Sequence, residues 1–483
     1  MTHSERPIHR GAVLAIIMAS YLMIVIDISI VLTGLPKIQA ALGFTPAGLS
    51  WIQNAYTLAF GGFLLLGARA GDILGRRRMF ITGLAIFTLA SLAIGAAQSP
   101  AWMIVFRAVQ GFGAAALAPS TLALIATHFE EGHERSRALA WYATAAGIGA
   151  TLGLVLGGLL ADLISWRAGF FINLPIGAAL IAGSLRYIRE TPRHSGRFDL
   201  AGALTSTLGM CALVFGIVEA AEAGWASRLT QASIATGLAL LAAFLWVETR
   251  AQQPLLPLSL LTNRRRNGAY AARLLFLAGM SGFWFFTAQY LQGALHFSPM
   301  QAGLAFMPVT LPQFVSSVGV PALSRRFGAR RLLLAGLALC MLGLLWLWLG
   351  LAAPHMSYLG GVVGPMLLIG LGQGGVLAPL TMAGVAGVEN HHAGAASGLL
   401  NVAHQLGASL GLALLVVVYA GANVGGVAPV HDAVGMAQHT GLVLQAAAGF
   451  LLMAWLVSAR YICFDVAQPP GPENSSITAT RLA

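Results

Sequence analysis

Two charged side chains inside apolar parts of this sequence have the chemistry of a proton site. Asp27 lies in the first apolar stretch and Arg107 in the fourth. A carboxylate in hydrocarbon is costly unless it is paired, hydrated or protonated. Desolvation favours the neutral acid and a nearby cation favours the anion, so an acid that alternates between such surroundings can bind and release a proton. Because a guanidinium cannot be deprotonated, we expect Arg107 to bias the acid and not to carry the proton.

The two side chains are also expected at similar depth. Asp27 lies about seven residues from the outer end of its stretch and Arg107 about six residues from the outer end of its own, which corresponds to about 10 Å and about 9 Å in a helix. A fixed polar contact without a transport role is the alternative for both residues.

A second set of residues has the types that line a cavity for small molecules. An aromatic and amide stretch lies in the ninth apolar segment, and polar residues within about one helical turn lie in the thirteenth. Aromatic rings can hold a planar apolar cation by stacking and cation–π contacts, and a histidine can titrate near neutral pH. Aromatic packing and a hydrogen-bonded structural histidine are the alternatives. The predicted cavity residues are Gln110, Trp284, Gln289, Tyr290, Asn401 and His404.

Composition places these residues in a membrane. Of the 483 residues, 57% are hydrophobic and 9% charged, whereas soluble proteins carry roughly 25% charged residues. A soluble enzyme is therefore excluded. Fourteen stretches are long enough to span a bilayer, so the predicted fold class is an all-α polytopic membrane protein with fourteen transmembrane helices. The stretches are 12–34, 50–70, 79–97, 101–126, 138–161, 168–188, 200–221, 230–248, 269–293, 301–323, 332–351, 357–381, 396–420 and 439–461.

The basic residues predict the orientation of these spans. With the N-terminus in the cytoplasm, 21 of the 27 basic residues lie inside, and only Lys37, Arg167 and Arg228 lie outside. The positive-inside rule therefore predicts cytoplasmic termini, and it explains the net charge of +11 without a nucleic-acid partner. Arg69 and Arg273 are close enough to inner helix ends to extend their charge to the interface.

The chain contains an internal repeat. LAPSTL recurs as LAPLTM, ATLG as ASLG and LGRRR as FGARR, at offsets of 260, 258 and 253 residues in unreversed order. Two six-helix bundles related by a parallel repeat produce this pattern. The predicted domains are the first bundle at 1–190, a two-helix membrane linker at 191–268, the second bundle at 269–462 and a cytoplasmic tail at 463–483.

Five motifs on these spans resemble the major facilitator superfamily, in particular its fourteen-helix drug:proton antiporters. They are DISIVLTGLP at 27–36, RAGDILGRRR at 69–78, RAVQGFGAA at 107–115, WRAGFFINLPIG at 166–177 and YLQGALHFSPMQAGLAFMP at 290–308. Three positions depart from the family pattern. Leu154 stands where the helix 5 motif has proline, Leu32 where the helix 1 motif has asparagine, and His404 where helix 13 commonly has a basic residue.

The resemblance implies two further sets of functional residues. A latch that closes the inner mouth is expected at the end of helix 2, with a solvated charge run as the alternative. Close packing between the two halves is expected from small residues of helix 5, with lipid-facing filler as the alternative. The latch residues are Asp72, Gly75, Arg76, Arg77 and Arg78, and the packing residues are Gly149, Gly153, Gly157 and Gly158.

The predicted function is export of lipophilic, cationic drugs or toxic compounds by alternating access, in exchange for protons, across an inner or plasma membrane. No cofactor or metal site is expected, since the cysteines lack metal-ligand spacing and no GxxxxGK[ST] loop occurs. The expected partners are small molecules, protons and the lipid bilayer, and a monomer suffices for this mechanism. Export of a metabolite, peptide or lipid and uptake by symport are alternatives. A remote alternative is a membrane enzyme acting on a lipid through Glu389, His391 and His392.

Overall fold

The computed structural model describes residues 9–191, 193, 198–351, 357–388, 393–421 and 433–462. These residues form helices and connections, and no β-strand occurs among them. Glu389, His391, His392 and the predicted tail at 463–483 lie outside the described residues.

Fourteen helices of the described chain are long and apolar enough to cross a membrane, which confirms the predicted fold class. They are α1 (Arg10–Leu42), α2 (Gly48–Leu74), α3 (Arg76–Gly95), α4 (Pro100–His128), α5 (His133–Leu163), α6 (Ala168–Tyr187), α7 (Leu200–Ala223), α8 (Arg228–Arg250), α9 (Arg264–Gly293), α10 (Pro299–Phe327), α11 (Ala329–Leu351), α12 (Tyr358–Val385), α13 (Gly394–Gly421) and α14 (Ala433–Tyr461).

Helix ends differ from the predicted stretches where charged residues or a proline interrupt the apolar sequence. α3 begins at Arg76 and α9 at Arg264, because arginine is a good helix former although it is not apolar. α1 continues through Pro36 to Leu42. The part of α1 after the proline contacts α5, because Nζ of Lys37 donates a hydrogen bond to the carbonyl oxygen of Ala161 at 2.7 Å.

The two six-helix bundles have the same internal packing. In the first, α1 packs on α5 and α6, α2 on α4, and α3 on α4 and α6. In the second, α9 packs on α13 and α14, α10 on α12, and α11 on α12 and α14. Each contact in one bundle has its counterpart in the other without reversal of helix order. The bundles are therefore related by a parallel repeat, as the sequence offsets predict.

The remaining two helices cover one seam between the bundles. α2 of the first bundle packs on α13 of the second, and α7 lies against both of them. α8 packs on α7 and is otherwise largely exposed. A Cβ at Gly237 of α8 would lie 2.7 Å from the backbone nitrogen of Leu213 on α7, so only a glycine permits this approach. The inserted pair is thus a helical hairpin within the membrane layer.

The four predicted packing glycines of α5 lie on two faces. A Cβ at Gly153 would lie 2.9 Å from Cα of Ile26, and one at Gly157 would lie 2.6 Å from Cα of Ile30, both on α1. Gly149 shares this face, because residues four apart lie on the same face of a helix. The expectation that all four glycines pack between the halves is therefore wrong for these three.

The second face of α5 does meet the other half. A Cβ at Gly158 would lie 2.4 Å from the carbonyl oxygen of Pro299 on α10. The next glycine of α10, Gly303, approaches the carbonyl oxygen of Leu154 in the same way, at 2.4 Å. Since Gly157 and Gly158 are consecutive residues, the helix turns by about 100° from one face to the other.

The orientation of the helices remains a prediction that a fusion series can test. We expect a reporter enzyme that is active only outside the cytoplasm to give signal when fused at Arg228, between α7 and α8. The same fusion at Arg265, at the start of α9, should give none, because the arginine run there is retained inside. Equal expression of the two fusions is the control, and the reverse pattern of activity would contradict cytoplasmic termini.

Candidate functional site

Asp27 is buried and fully engaged by hydrogen-bond donors from two other helices. Its side chain is 1% exposed. Oδ2 accepts from Nη1 of Arg107 at 2.7 Å, while Oδ1 accepts from Nε2 of Gln110 at 2.8 Å and from Nδ2 of Asn173 at 3.1 Å. Three donors, one of them cationic, stabilise the ionised carboxylate.

Arg107 is held on every side by the first bundle. Its side chain is also 1% exposed. Nε donates to the carbonyl oxygen of Ile52 at 2.9 Å, and Nη1 also donates to Oε1 of Gln110 at 2.6 Å. Cζ lies 4.4 Å from the centroid of the Tyr56 ring, a cation–π contact. The guanidinium therefore keeps several partners even without the acid.

A serine on α3 completes the network around the acid. Oγ of Ser91 accepts from Nε2 of Gln110 at 2.8 Å and from Nδ2 of Asn173 at 3.2 Å. The two amides are thereby shared between Ser91 and Asp27. Ser91 and Gln110 are wholly buried, so water does not compete for these hydrogen bonds.

Three members of this network were not identified from the sequence. Asn173 carried the best signal, because it is a lone amide in the WRAGFFINLPIG motif of an apolar span. Ser91 and Tyr56 have no distinguishing pattern, since serine and tyrosine are common in membrane helices. Gln110 was expected to line the substrate cavity, and the structure places it in the acid's network instead.

The network can couple protonation to helix contacts. As an anion, Asp27 makes a charge-assisted contact with Arg107, which is roughly twice as strong as a neutral one. Protonation removes the charge and leaves Arg107 without a counter-ion. Loss of this charge would therefore weaken the contact between α1 and α4.

The other predicted cavity residues do not form one cluster. Trp284 packs on Phe306 with ring centroids 5.1 Å apart, and Nε2 of Gln289 donates to the carbonyl oxygen of Phe285 within its own helix. Tyr290 is buried near the C-terminal end of α9. These side chains are engaged in packing or local hydrogen bonds in this structure.

The two predicted residues of α13 lie in the N-terminal half of that helix. Asn401 is exposed and donates to the carbonyl oxygen of Ser397. His404 faces Arg273, with 3.4 Å between Nδ1 of the ring and Nη2 of the arginine. Arg273 is only 8% exposed, so the expectation that it extends to the membrane interface is wrong. Its guanidinium contacts Thr381 of α12 and His404 of α13, which hold it inside the bundle.

The predicted latch residues lie at one end of the first bundle, where α2 ends and α3 begins. Oδ1 of Asp72 accepts from Nη2 of Arg76 at 3.1 Å, and Nη1 of Arg76 donates to the carbonyl oxygen of Ala123 on α4 at 3.2 Å. Arg77 reaches α6, where its Nη2 donates to the carbonyl oxygen of Leu185 at 2.6 Å. The arginines thus tie α2, α4 and α6 together at one end.

A missed acid, Glu190, anchors the same region. Its carboxylate accepts from the backbone nitrogens of Arg77 at 3.0 Å and Arg78 at 3.2 Å, at the positive end of α3. Gly75 has φ +106°, and a Cβ there would lie 2.6 Å from the Glu190 carboxylate. The glycine therefore permits both the turn and the approach of Glu190. An acid just after the sixth span was the available sequence signal.

Comparisons with known proteins agree on one family. The model described as Major Facilitator Superfamily matches residues 17–412. Cephamycin export protein CmcT of Amycolatopsis lactamdurans is 39% identical over 457 residues, covering 94% of this chain and 92% of that protein. Puromycin resistance protein pur8 of Streptomyces alboniger is 37% identical over 476 residues, covering 97% and 94%. The solved structure of the nucleoside transporter NupG superposes with a TM-score of 0.65 at 13% identity, covering 93% of this chain and 99% of that one. This last likeness shows the fold alone.

The buried ion pair generates a stability prediction. Arg107→Met leaves Asp27 buried without its cation and should lower the free energy of unfolding by about 3–5 kcal/mol. The double change Asp27→Leu with Arg107→Met should recover most of this loss, because no charge is then left unpaired. Unfolding by sodium dodecyl sulfate in mixed micelles measures both. Additive losses in the double variant would show that the two side chains contribute independently.

Proposed function

The chain belongs to the Major Facilitator Superfamily, and we propose that it exports lipophilic antibiotics or other toxic small molecules from a bacterial cell by proton-coupled alternating access. CmcT and pur8 resemble this chain over almost its whole length, and their names refer to cephamycin export and puromycin resistance. Their likeness supports antibiotics as the cargo. The fourteen membrane helices and the paired bundles supply the architecture of a multi-pass transporter.

The observation that carries the proton-coupling part of the proposal is the Asp27–Arg107 pair. Among titratable groups of the described helices, Asp27 combines near-complete burial with an ion pair at 2.7 Å between two helices. Its donors come from α4 and α6, so a change of charge on the acid alters contacts among three helices. In our proposal, the anion favours one packing of the first bundle and the neutral acid favours another, and Arg107 remains charged in both.

The outer seam between the bundles supports alternating access. Nε2 of Gln292 on α9 donates to the carbonyl oxygen of Thr33 on α1 at 3.2 Å, and Gly158 meets Pro299 nearby. The ends of the bundles that we predict to face outward are therefore in contact in this structure. In the proposed cycle these contacts open when the inner ends close, and the small residues allow the surfaces to separate and meet again.

Other cargo remains compatible with the family. Export of a metabolite, peptide or lipid uses the same architecture, and so does uptake by symport, and membership in the superfamily does not select among them. The cationic cargo expected from the sequence stays a prediction. Catalysis on a lipid stays a remote alternative, and its residues lie outside the described part of the chain.

The proton-coupling role predicts a defined loss in Asp27→Asn. In liposomes containing the purified protein, adding a transported compound should move protons in the wild type. We expect Asp27→Asn to abolish this movement, because the amide cannot bind a proton in place of the acid, and Asp27→Glu to keep part of it.

The matched control is Asp162→Asn, which removes an acid from the end of α5 that lies 3.6 Å from Lys37. It should leave proton movement unchanged. Normal proton-coupled export by Asp27→Asn would contradict the assignment and direct the search to other titratable groups of the bundle, such as His404.

We also propose that Asp72 and the arginines after it stabilise the closed form of the inner mouth. Asp72→Asn removes the charge that holds Arg76 and should favour cytoplasm-open forms. We expect thiol labelling of Asn401→Cys, in a background without the native cysteines, to become severalfold faster. Glu131→Gln is the matched control, since Glu131 also pairs with an arginine four residues on. Unchanged labelling together with normal transport would mean that Asp72 is only a solvated charge.

A further inference from the structure

We propose that Arg273 binds an anionic group of the cargo, so that the molecules exported by this protein include lipophilic carboxylates. This inference rests on the proposed export function and names a substrate class for it. It begins from a cation inside the second bundle whose described partners are all neutral.

The Arg273 guanidinium is held from two helices but is not saturated. Nη1 donates to Oγ1 of Thr381 on α12 at 2.8 Å, and Nη2 lies 3.4 Å from Nδ1 of His404 on α13. Nε is buried and has no hydrogen-bond partner in the described structure. A guanidinium has five N–H donors, so donors remain for a ligand.

Neither partner carries a negative charge. Thr381 is a hydroxyl that itself donates to the carbonyl oxygen of Leu377 at 2.8 Å. A guanidinium has no acceptor, so Nδ1 of His404 must accept the hydrogen bond, which a doubly protonated imidazole cannot do. The histidine therefore occupies its neutral form in this contact.

No carboxylate of the described chain forms an ion pair with Arg273. The contrast with Arg107 is direct, because Arg107 has Asp27 at 2.7 Å. A buried charge is costly unless it is paired. The site around Arg273 is thus complementary to an anion that arrives with the cargo.

An aromatic pair of the first bundle lies near this cation. The rings of Tyr21 on α1 and Tyr142 on α5 stack with centroids 4.1 Å apart, and Tyr21 lies near enough to Arg273 to interact with it electrostatically. The hydroxyl of Tyr142 is 3.1 Å from Oγ1 of Thr121 on α4. A planar ligand with a carboxylate would find a stacking surface on one bundle and a cation on the other.

This arrangement places the cargo site where alternating access needs it. The cluster draws on α1, α4 and α5 of the first bundle and α9, α12 and α13 of the second. Tyr21 precedes Asp27 by six residues on α1, which is about 9 Å along the helix axis. The anion site and the proposed proton site are therefore separate, so cargo and proton need not compete for one charge.

The charge balance of transport follows from this separation. Exchange of one exported monoanion for one imported proton moves two positive charges inward per cycle, so an inside-negative potential drives export. A monocation exchanged for one proton would move no net charge. The guanidinium of Arg273 would repel a cation at this position.

The test is equilibrium binding to the purified full chain in detergent, with no proton gradient. The probes are tritiated naphthalene-2-carboxylate, its amide and 2-naphthylmethylamine, each corrected for binding to empty micelles. We expect the wild type to bind the carboxylate about tenfold or more tightly than the amide, because only the carboxylate makes a charge-assisted contact. Binding of the amine should be weakest.

Variants separate charge recognition from packing. Arg273→Gln should lose about tenfold or more in affinity for the carboxylate and little for the amide, and Arg273→Lys should lie between. Arg228→Gln, at an exposed arginine, is the matched control and should behave as the wild type. If Arg273→Gln does not fold, the wild-type preference and the lysine variant still decide the matter.

Two results would overturn the inference. One is a wild type that does not prefer the carboxylate, including one that binds neither compound. The other is an equal loss of carboxylate and amide binding in Arg273→Gln, which would indicate a packing role. Because no gradient is present, a failure of proton coupling leaves this result unaffected, and the two proposals can fail independently.

Discussion

The first bundle depends on one interaction, the ion pair between Asp27 and Arg107. Two charges buried in an apolar bundle are tolerable only when they meet each other and are held by further hydrogen bonds. These hydrogen bonds require α4 for Gln110 and Arg107, α3 for Ser91, α6 for Asn173 and the carbonyl oxygen of Ile52 on α2. Five of the six helices, α1 included, thus contribute a group to this ion pair or to the hydrogen bonds around it. The sixth, α5, is joined to α1 through glycines instead, which allows close contact without further polar groups.

The second bundle repeats the helix pairing but not the chemistry. Its helices pack in the same order around α9, yet Arg273 of that helix meets Thr381 and His404 and no acid of the described chain. The two bundles thus differ in the charge of the partners that their buried arginines have: Arg107 meets an acid, and Arg273 meets neutral groups of the described chain. In our account the first bundle binds the proton and contributes aromatic surface, and the second contributes the charge that recognises the cargo. A transporter built in this way couples its two ligands through the relative movement of the bundles, because each ligand changes contacts within or across them.

Much of this architecture could be predicted from the sequence, and the failures have physical causes. The number of spans and the fold class follow from hydropathy, and the repeat follows from the nearly constant offset between similar segments. Both signals depend on many residues at once. The meeting of Asp27 with Arg107 was accessible because charges in apolar helices are rare and their depths agree. Neutral polar residues such as Ser91 and Asn173 give no comparable signal, since their cost in a membrane depends on partners that only the fold supplies. The faces of α5 and the direction of Arg273 were missed because both depend on how a helix is rotated about its axis. A uniformly apolar helix has little periodicity from which that rotation can be inferred.

The central claim is that Asp27 gains and loses the transported proton, and infrared difference spectroscopy tests it most directly. Lowering the pH over the protein in lipid vesicles should produce the carbonyl band of a protonated carboxyl group in an apolar environment. The account predicts that this band is present in the wild type and in Asp72→Asn and absent in Asp27→Asn. A band of the same position and amplitude in Asp27→Asn would show that another group takes up the proton and would contradict the account.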